Sequence, residues 1–205
     1  MIETKSIETT VHGRYLVRRG VDDRLLVGFH GYAENAELHL REIEKIPGVE
    51  EWTVVAVQAL HPFYTRAGEV VASWMTKLDR ENAIADNIAY VRRVVEAEGP
   101  ARRVVFAGFS QGVAMAFRAA AAIGCSGVIA LGGDLPPDVV PSVRSLPPVL
   151  LGRGTADDWY TDEKFKKDLN FLAAAPGLQT VIFEGGHAWS DAFRHAAGEF
   201  LARLA

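Results

Sequence analysis

The chain has 205 residues, 49% of them hydrophobic and 23% charged, with a formal net charge of −4. That length suits one compact domain with a sizeable core, and the mild negative balance excludes counterion-driven nucleic-acid binding. A single cysteine, Cys125, excludes an internal disulfide; no run approaches the roughly 20 apolar residues of a membrane span, and the charged start Met1-Ile2-Glu3-Thr4-Lys5 lacks the apolar segment of a leader, so the expected location is cytoplasmic.

In chain order, residues 7–18 alternate in polarity and predict an antiparallel edge hairpin. Leu25-Leu26-Val27-Gly28-Phe29 reads as a strand, then 34–45 as a helix and Thr53-Val54-Val55-Ala56-Val57 as a second strand. A helix is expected over 79–98, a strand at Arg103-Val104-Val105-Phe106-Ala107 and a helix over 110–123. Gly127-Val128-Ile129-Ala130-Leu131 and Pro148-Val149-Leu150-Leu151 follow as strands, then a helix over 161–174, the strand Thr180-Val181-Ile182-Phe183 and a closing helix over 191–204. Several strands are apolar at consecutive positions, as in a parallel sheet covered on both faces. Strands alternating with helices predict an α/β architecture with a mostly parallel central sheet, and residues 1–205 read as a single domain. In such folds sites form beyond the carboxyl ends of the strands. There the chain reads His30-Gly31-Tyr32, Gly108-Phe109-Ser110-Gln111-Gly112, Gly132-Gly133-Asp134, Gly152-Arg153-Gly154-Thr155-Ala156-Asp157 and Gly185-Gly186-His187.

Gly108-Phe109-Ser110-Gln111-Gly112 is a G-x-S-x-G sequence between a buried strand and an alanine-rich helix, the context of a nucleophile elbow. The turn is tight, so side chains two positions either side of the serine would clash. Ser110 is the expected nucleophile, and a serine hydroxyl needs a base to take its proton. In the order serine, acid, histidine only His187 and His195 follow it. His187 lies in a glycine-loosened loop after the last strand. His195 shares a helix face with Asp191 and reads as a solvated pair. Asp157, after the strand preceding that of the histidine, leads as the acid; Asp158 and Asp134 are its rivals on spacing. Acyl transfer also needs two N–H groups for the developing oxyanion, expected from Gln111, after the nucleophile, and Tyr32, after an early strand. His30 reads as a structural brace of that early loop.

Together His30-Gly31-Tyr32, the G-F-S-Q-G elbow, Gly154-Thr155-Ala156-Asp157 and Gly186-His187 resemble the phospholipase/carboxylesterase family of α/β-hydrolases. That family includes bacterial carboxylesterases and acyl-protein thioesterases and lies near the dienelactone hydrolases. The similarity runs from about residue 24 to the end of the chain. The resemblance implies an α/β-hydrolase fold, and Ser110, Asp157 and His187 as a catalytic triad with Tyr32 and Gln111 at the oxyanion; no insertion in the sequence is long enough for a separate lid domain. The chain carries no Walker loop, no H-E-x-x-H and no paired Cys-x-x-Cys, so no cofactor and no metal are expected. The chain departs from the pattern in Arg153, where many relatives carry histidine, and in Ala33, where glycine is usual; both are expected at the pocket rim.

The stretch from His61 to Met75 is long for a strand-to-helix connection, and Phe63, Tyr64 and Trp74 are expected to wall a substrate pocket, ahead of Phe109, Trp159 and Trp189, which could do the same. The resulting expectation is a serine esterase or thioesterase acting on a small-molecule ester or thioester of small to medium acyl size. A small serine peptidase or amidase, and a non-catalytic binding protein on the same scaffold, are the alternatives. A homodimer is compatible with the sequence.

Overall fold

In the computed structural model, which describes residues 1–21 and 23–204, the β-branched runs form strands β1 (Tyr15–Arg18), β2 (Arg24–Phe29), β3 (Thr53–Val57), β4 (His61–Tyr64), β5 (Val70–Ser73), β6 (Arg103–Phe109), β7 (Gly127–Leu131), β8 (Val149–Gly154) and β9 (Leu178–Phe183). The helices are α1 (Ala36–Ile43), α2 (Arg80–Glu98), α3 (Gln111–Ile123), α4 (Asp162–Leu172) and α5 (Asp191–Leu204). Seven strands form one sheet in the order β1-β3-β2-β6-β7-β8-β9. All its pairings are parallel except that of β1 with β3.

Successive strand side chains point to opposite faces, and here both faces are buried. On β2, Leu25, Val27 and Phe29 join one core cluster and Leu26 the other. On β7, Val128 and Ala130 face the first cluster, Ile129 and Leu131 the second. Helices α2, α3 and α4 cover the first face, through residues such as Val91, Phe117 and Phe165. Helices α1 and α5 cover the second, through Ile43, Phe193 and Phe200. The crowding of α3 on the sheet depends on its small residues Ala116, Ala119 and Ala120, all buried.

Two expectations are corrected. Residues 7–18 form no hairpin: residues 1–14 lie exposed without regular structure, and only β1 pairs with the sheet. Polarity alternates along 7–14, but no neighbouring strand receives it. Conversely, the connection at 61–75 is no open loop. It folds into the antiparallel hairpin β4–β5, turned at Gly68 with φ of +81°. Among the described residues no helix is long and apolar enough to cross a membrane.

The chain runs from β2 outward to β3, then crosses back so that β6 lies on the other side of β2. The crevice beyond the ends of β2 and β6 is therefore the point where strand order reverses, the favoured position for a site in such sheets.

Candidate functional site

Ser110 stands between β6 and α3 with φ of +53° and ψ of −121°, a strained conformation for a residue with a side chain. The steric need for glycine on either side is explicit. A Cβ on Gly108 would come within 2.4 Å of the Gly112 carbonyl oxygen, and one on Gly112 within 2.0 Å of the Phe29 carbonyl oxygen. Gly133 approaches from β7, where a Cβ would lie 2.3 Å from the Ser110 carbonyl oxygen. The elbow thus lifts the Ser110 hydroxyl above the sheet edge.

Ser110 Oγ donates to Nε2 of His187 at 2.8 Å, and Nδ1 of His187 donates to Oδ2 of Asp157 at 2.9 Å. A carboxylate can only accept, so the proton sits on Nδ1 and the Nε2 lone pair faces the serine. The other Asp157 oxygen accepts from the backbone N–H groups of Trp159 (2.9 Å) and Tyr160 (2.8 Å). Asp157 is buried, whereas Asp158 is exposed and Asp134 pairs with Lys164 at the surface. His195 is exposed on α5. Of the three aspartates weighed from the sequence, the structure joins Asp157 alone to His187.

The turns that carry these residues are knitted together. Ala156 N–H donates to Gly185 O and Thr155 N–H to Phe183 O, both at 2.8 Å. Arg153 is buried, not at the pocket rim: its guanidinium donates to the carbonyls of Gly154 and Thr155 and pairs with Asp162 at 3.1 Å. It braces the acid turn from within. The Phe109 ring packs on the His187 ring, with centroids 4.9 Å apart. Gly132, at φ of +66°, leaves room for the histidine, because a Cβ there would lie 3.2 Å from its Cε1.

The Tyr32 loop follows β2. Among the described residues no hydrogen bond engages the backbone N–H of Tyr32 or of Gln111; Gln111 opens α3, where first-turn N–H groups lack intrahelical acceptors. Both are available to an oxyanion beside Ser110. The loop is held from three sides. Gly31 N–H donates to Glu34 Oε2 at 2.7 Å, and burial pushes the Glu34 carboxyl above its ordinary range. Strand β5 pairs with the loop through Ala33 N–H to Ala72 O and Ala72 N–H to Glu34 O. Inside it, His30 is fully buried; its Nδ1–H donates to Gly31 O at 2.7 Å and its Nε2 accepts from Ala59 N–H at 3.1 Å. Burial pushes the His30 imidazole down to about 4, so it is a neutral brace. Ala33 takes φ of +57°, the left-handed conformation that glycine adopts at lower cost.

The expected pocket walls need correction. Trp74 is fully buried, packs edge-on against Phe29 at 5.5 Å and donates its Nε1–H to His30 O at 2.8 Å. It supports the Tyr32 loop from the core because a large aromatic ring finds more contact there than at a rim. Phe63 and Tyr64 sit on the β4–β5 hairpin. Phe63 stacks beside Tyr32 at 5.6 Å, and Tyr64 is exposed. The cleft at Ser110, of about 460 Å³, is lined instead by Met75, Lys77, Arg80, Asp134, Trp159 and Lys164, among others. Neither Glu34 nor the cationic rim is legible in the sequence, since neither belongs to a motif. The Gln111 side chain also ties α3 to the strand that braces the loop. Its Oε1 accepts from Trp74 N–H at 2.9 Å and its Nε2 donates to Met75 O at 3.0 Å.

No protein-family model matches the chain, and no curated protein matches it. Among solved structures it is similar to esterase PE8, at TM-score 0.80 and 20% identity over 95% of this chain and 100% of that one. It is also similar to Zea mays acyl-protein thioesterase 2 (0.74, 18%, 94% and 99%) and to the Bacillus cereus carboxylesterase (0.74, 16%, 94% and 95%). At these identities the likeness concerns architecture, and with the sheet order above it identifies the chain as having the α/β-hydrolase fold.

Proposed function

We propose that this chain is a serine hydrolase of the carboxylesterase or thioesterase type, acting through an acyl-enzyme on Ser110. One observation carries the reading: the unbroken series Ser110 Oγ, His187 Nε2, His187 Nδ1 and Asp157 Oδ2, with links of 2.8 and 2.9 Å. The structural likeness to a carboxylesterase and an acyl-protein thioesterase supports it.

In this mechanism Ser110 Oγ attacks the carbonyl carbon while its proton passes to His187 Nε2. Asp157 stabilises the imidazolium, and the Tyr32 and Gln111 N–H groups meet the oxyanion. The carbon–oxygen or carbon–sulfur bond then breaks, and the leaving group takes the proton from Nε2. Water attacks the acyl-enzyme, gives its proton to Nε2 and releases the acid, and the proton returns to Ser110. A cleft of about 460 Å³ suits acyl groups of small to medium size.

The test is a p-nitrophenyl ester series from acetate to palmitate. Turnover is expected to peak at short or medium chains, and Ser110→Ala is expected to lower kcat by about 10⁴-fold or more without loss of stability. Folded protein that hydrolyses no member of the series, or hydrolysis that survives Ser110→Ala, overturns the reading.

A further inference from the structure

Three cations line the cleft that contains Ser110: Lys77, Arg80 and Lys164. Lys164 is occupied, donating to Trp159 O at 2.8 Å and pairing with Asp134 at 3.3 Å. Lys77 and Arg80 have no carboxylate within ion-pairing distance among the described residues. Nearby carboxylates compensate them only in part: Arg80 lies within electrostatic reach of Asp138, and Glu81 follows Arg80 in the first turn of α2. Asp138 is held by Arg118 through two bonds of 2.8 Å, and Asp79, next to Arg80 in the chain, does not line the cleft. Helix α2 begins at Arg80 with Asp79 at its N-cap and Glu81 in its first turn, so these carboxylates offset its dipole and the positive charge of the rim rests on the Lys77 and Arg80 side chains. This concentration of positive charge stands in a chain of net charge −4. The remaining wall at Met75, Ala114, Pro136 and Pro137 is apolar. A short carbon chain fits that wall, and a negative terminus fits the rim.

We propose that the cleft selects esters bearing a carboxylate on their acyl or alcohol part, with Lys77 and Arg80 as the residues that recognise it. The proposal rests on the serine-hydrolase reading and narrows its substrate class. Exposed charge pairs contribute modestly in water, so two cations together are expected to favour an anionic over a neutral ester on the order of tenfold.

Two matched pairs of esters test it. Monomethyl glutarate against methyl butyrate places the charge on the acyl side, and 4-acetoxybenzoate against phenyl acetate places it on the alcohol side. Binding is read by NMR titration of Ser110→Ala protein, which leaves the esters intact, and kcat/KM is read on active protein. In at least one pair the anionic ester is expected to bind about tenfold more tightly. Lys77→Ala combined with Arg80→Ala is expected to bring the pair near parity, and about 0.5 M salt to remove most of the difference. Comparing each ratio between parent and variant cancels the intrinsic reactivity of the esters. Equal binding within both pairs, or a preference that the double substitution leaves intact, overturns the proposal. Serine-dependent turnover of the neutral esters with no anionic preference sinks the proposal alone. Absent turnover of all four esters and of the p-nitrophenyl series by folded protein sinks the hydrolase reading, and the proposal with it.

Discussion

At the residue scale, both Asp157 oxygens are committed, one to His187 and one to two backbone N–H groups. Asp157→Asn keeps the shape but sets an amide donor or a weaker acceptor against Nδ1. It is expected to lower kcat/KM on a neutral ester by about 10³–10⁴-fold, as loss of the correct histidine tautomer does. Asp134→Asn, which breaks only a surface pair with Lys164, is expected to change it less than about threefold. The reverse ranking in a steady-state comparison would move the acid to the loop after β7. Glu34 offers a second test. It holds the N–H of Gly31, the residue before Tyr32, at 2.7 Å and lies within electrostatic reach of His187. Glu34→Ala is expected to lower kcat about tenfold with KM little changed, and Glu34→Gln, which keeps an amide oxygen as acceptor, to restore most of it. Ser110 and His187 are legible in the sequence because each sits in a local signature. Glu34 is not, since a carboxylate three residues from a glycine in a loop has no distinctive pattern.

At the element scale, the elbow is a steric object. The β6–α3 turn brings Gly108 against Gly112 and Gly112 against β2 so closely that no side chain fits. Gly112→Ala is expected to cost about 1–3 kcal/mol and to abolish hydrolysis as the turn shifts. Gly68→Ala, at a hairpin tip where a Cβ meets nothing within 4 Å, is expected to cost only about 1 kcal/mol for its positive φ. Urea unfolding of both variants checks the contrast. The five helices fall close to their expected spans because their apolar spacing is a local property. The β4–β5 hairpin is illegible for the opposite reason. His61-Pro62-Phe63-Tyr64 is mostly exposed and carries no apolar alternation, and its value lies in pairing with the distant Ala33-Glu34 loop.

At the scale of the whole molecule, His30 and His39 are buried in the layers that position the site, and burial pushes them down to about 4 and about 3. Unfolded, each titrates near 6.5. Below that pH the unfolded chain binds more protons than the native one, so stability falls as pH drops from about 6.5 toward 4, by up to ~1.4 kcal/mol per pH unit for each histidine. Glu34 and Asp168, whose carboxyls burial pushes up, act in the opposite direction and offset part of this loss. Urea midpoints are therefore expected to fall between pH 7 and pH 5, and His39→Gln, which does not titrate, to flatten the slope. A midpoint unchanged over that interval would mean that these histidines are not neutral in the native protein. Protonation of His30 would also remove the acceptor for Ala59 N–H, so the Tyr32 loop is expected to loosen first.

By itself the sequence determined the alternation of strands and helices, the parallel sheet they imply, and the Ser110 elbow with His187 beyond the last strand. Each is written in residues a few positions apart, where periodicity, glycine placement and chain order act directly. Only the tertiary structure decided which aspartate meets His187, that Trp74 belongs to the core and Arg153 beneath the acid turn, and that Lys77 and Arg80 share a cleft with Ser110. Those outcomes depend on how separate elements lie against one another. Residues tens of positions apart come within a few ångströms only through the register of β2, β6 and β8 and the packing of helices on both faces, which no local pattern encodes.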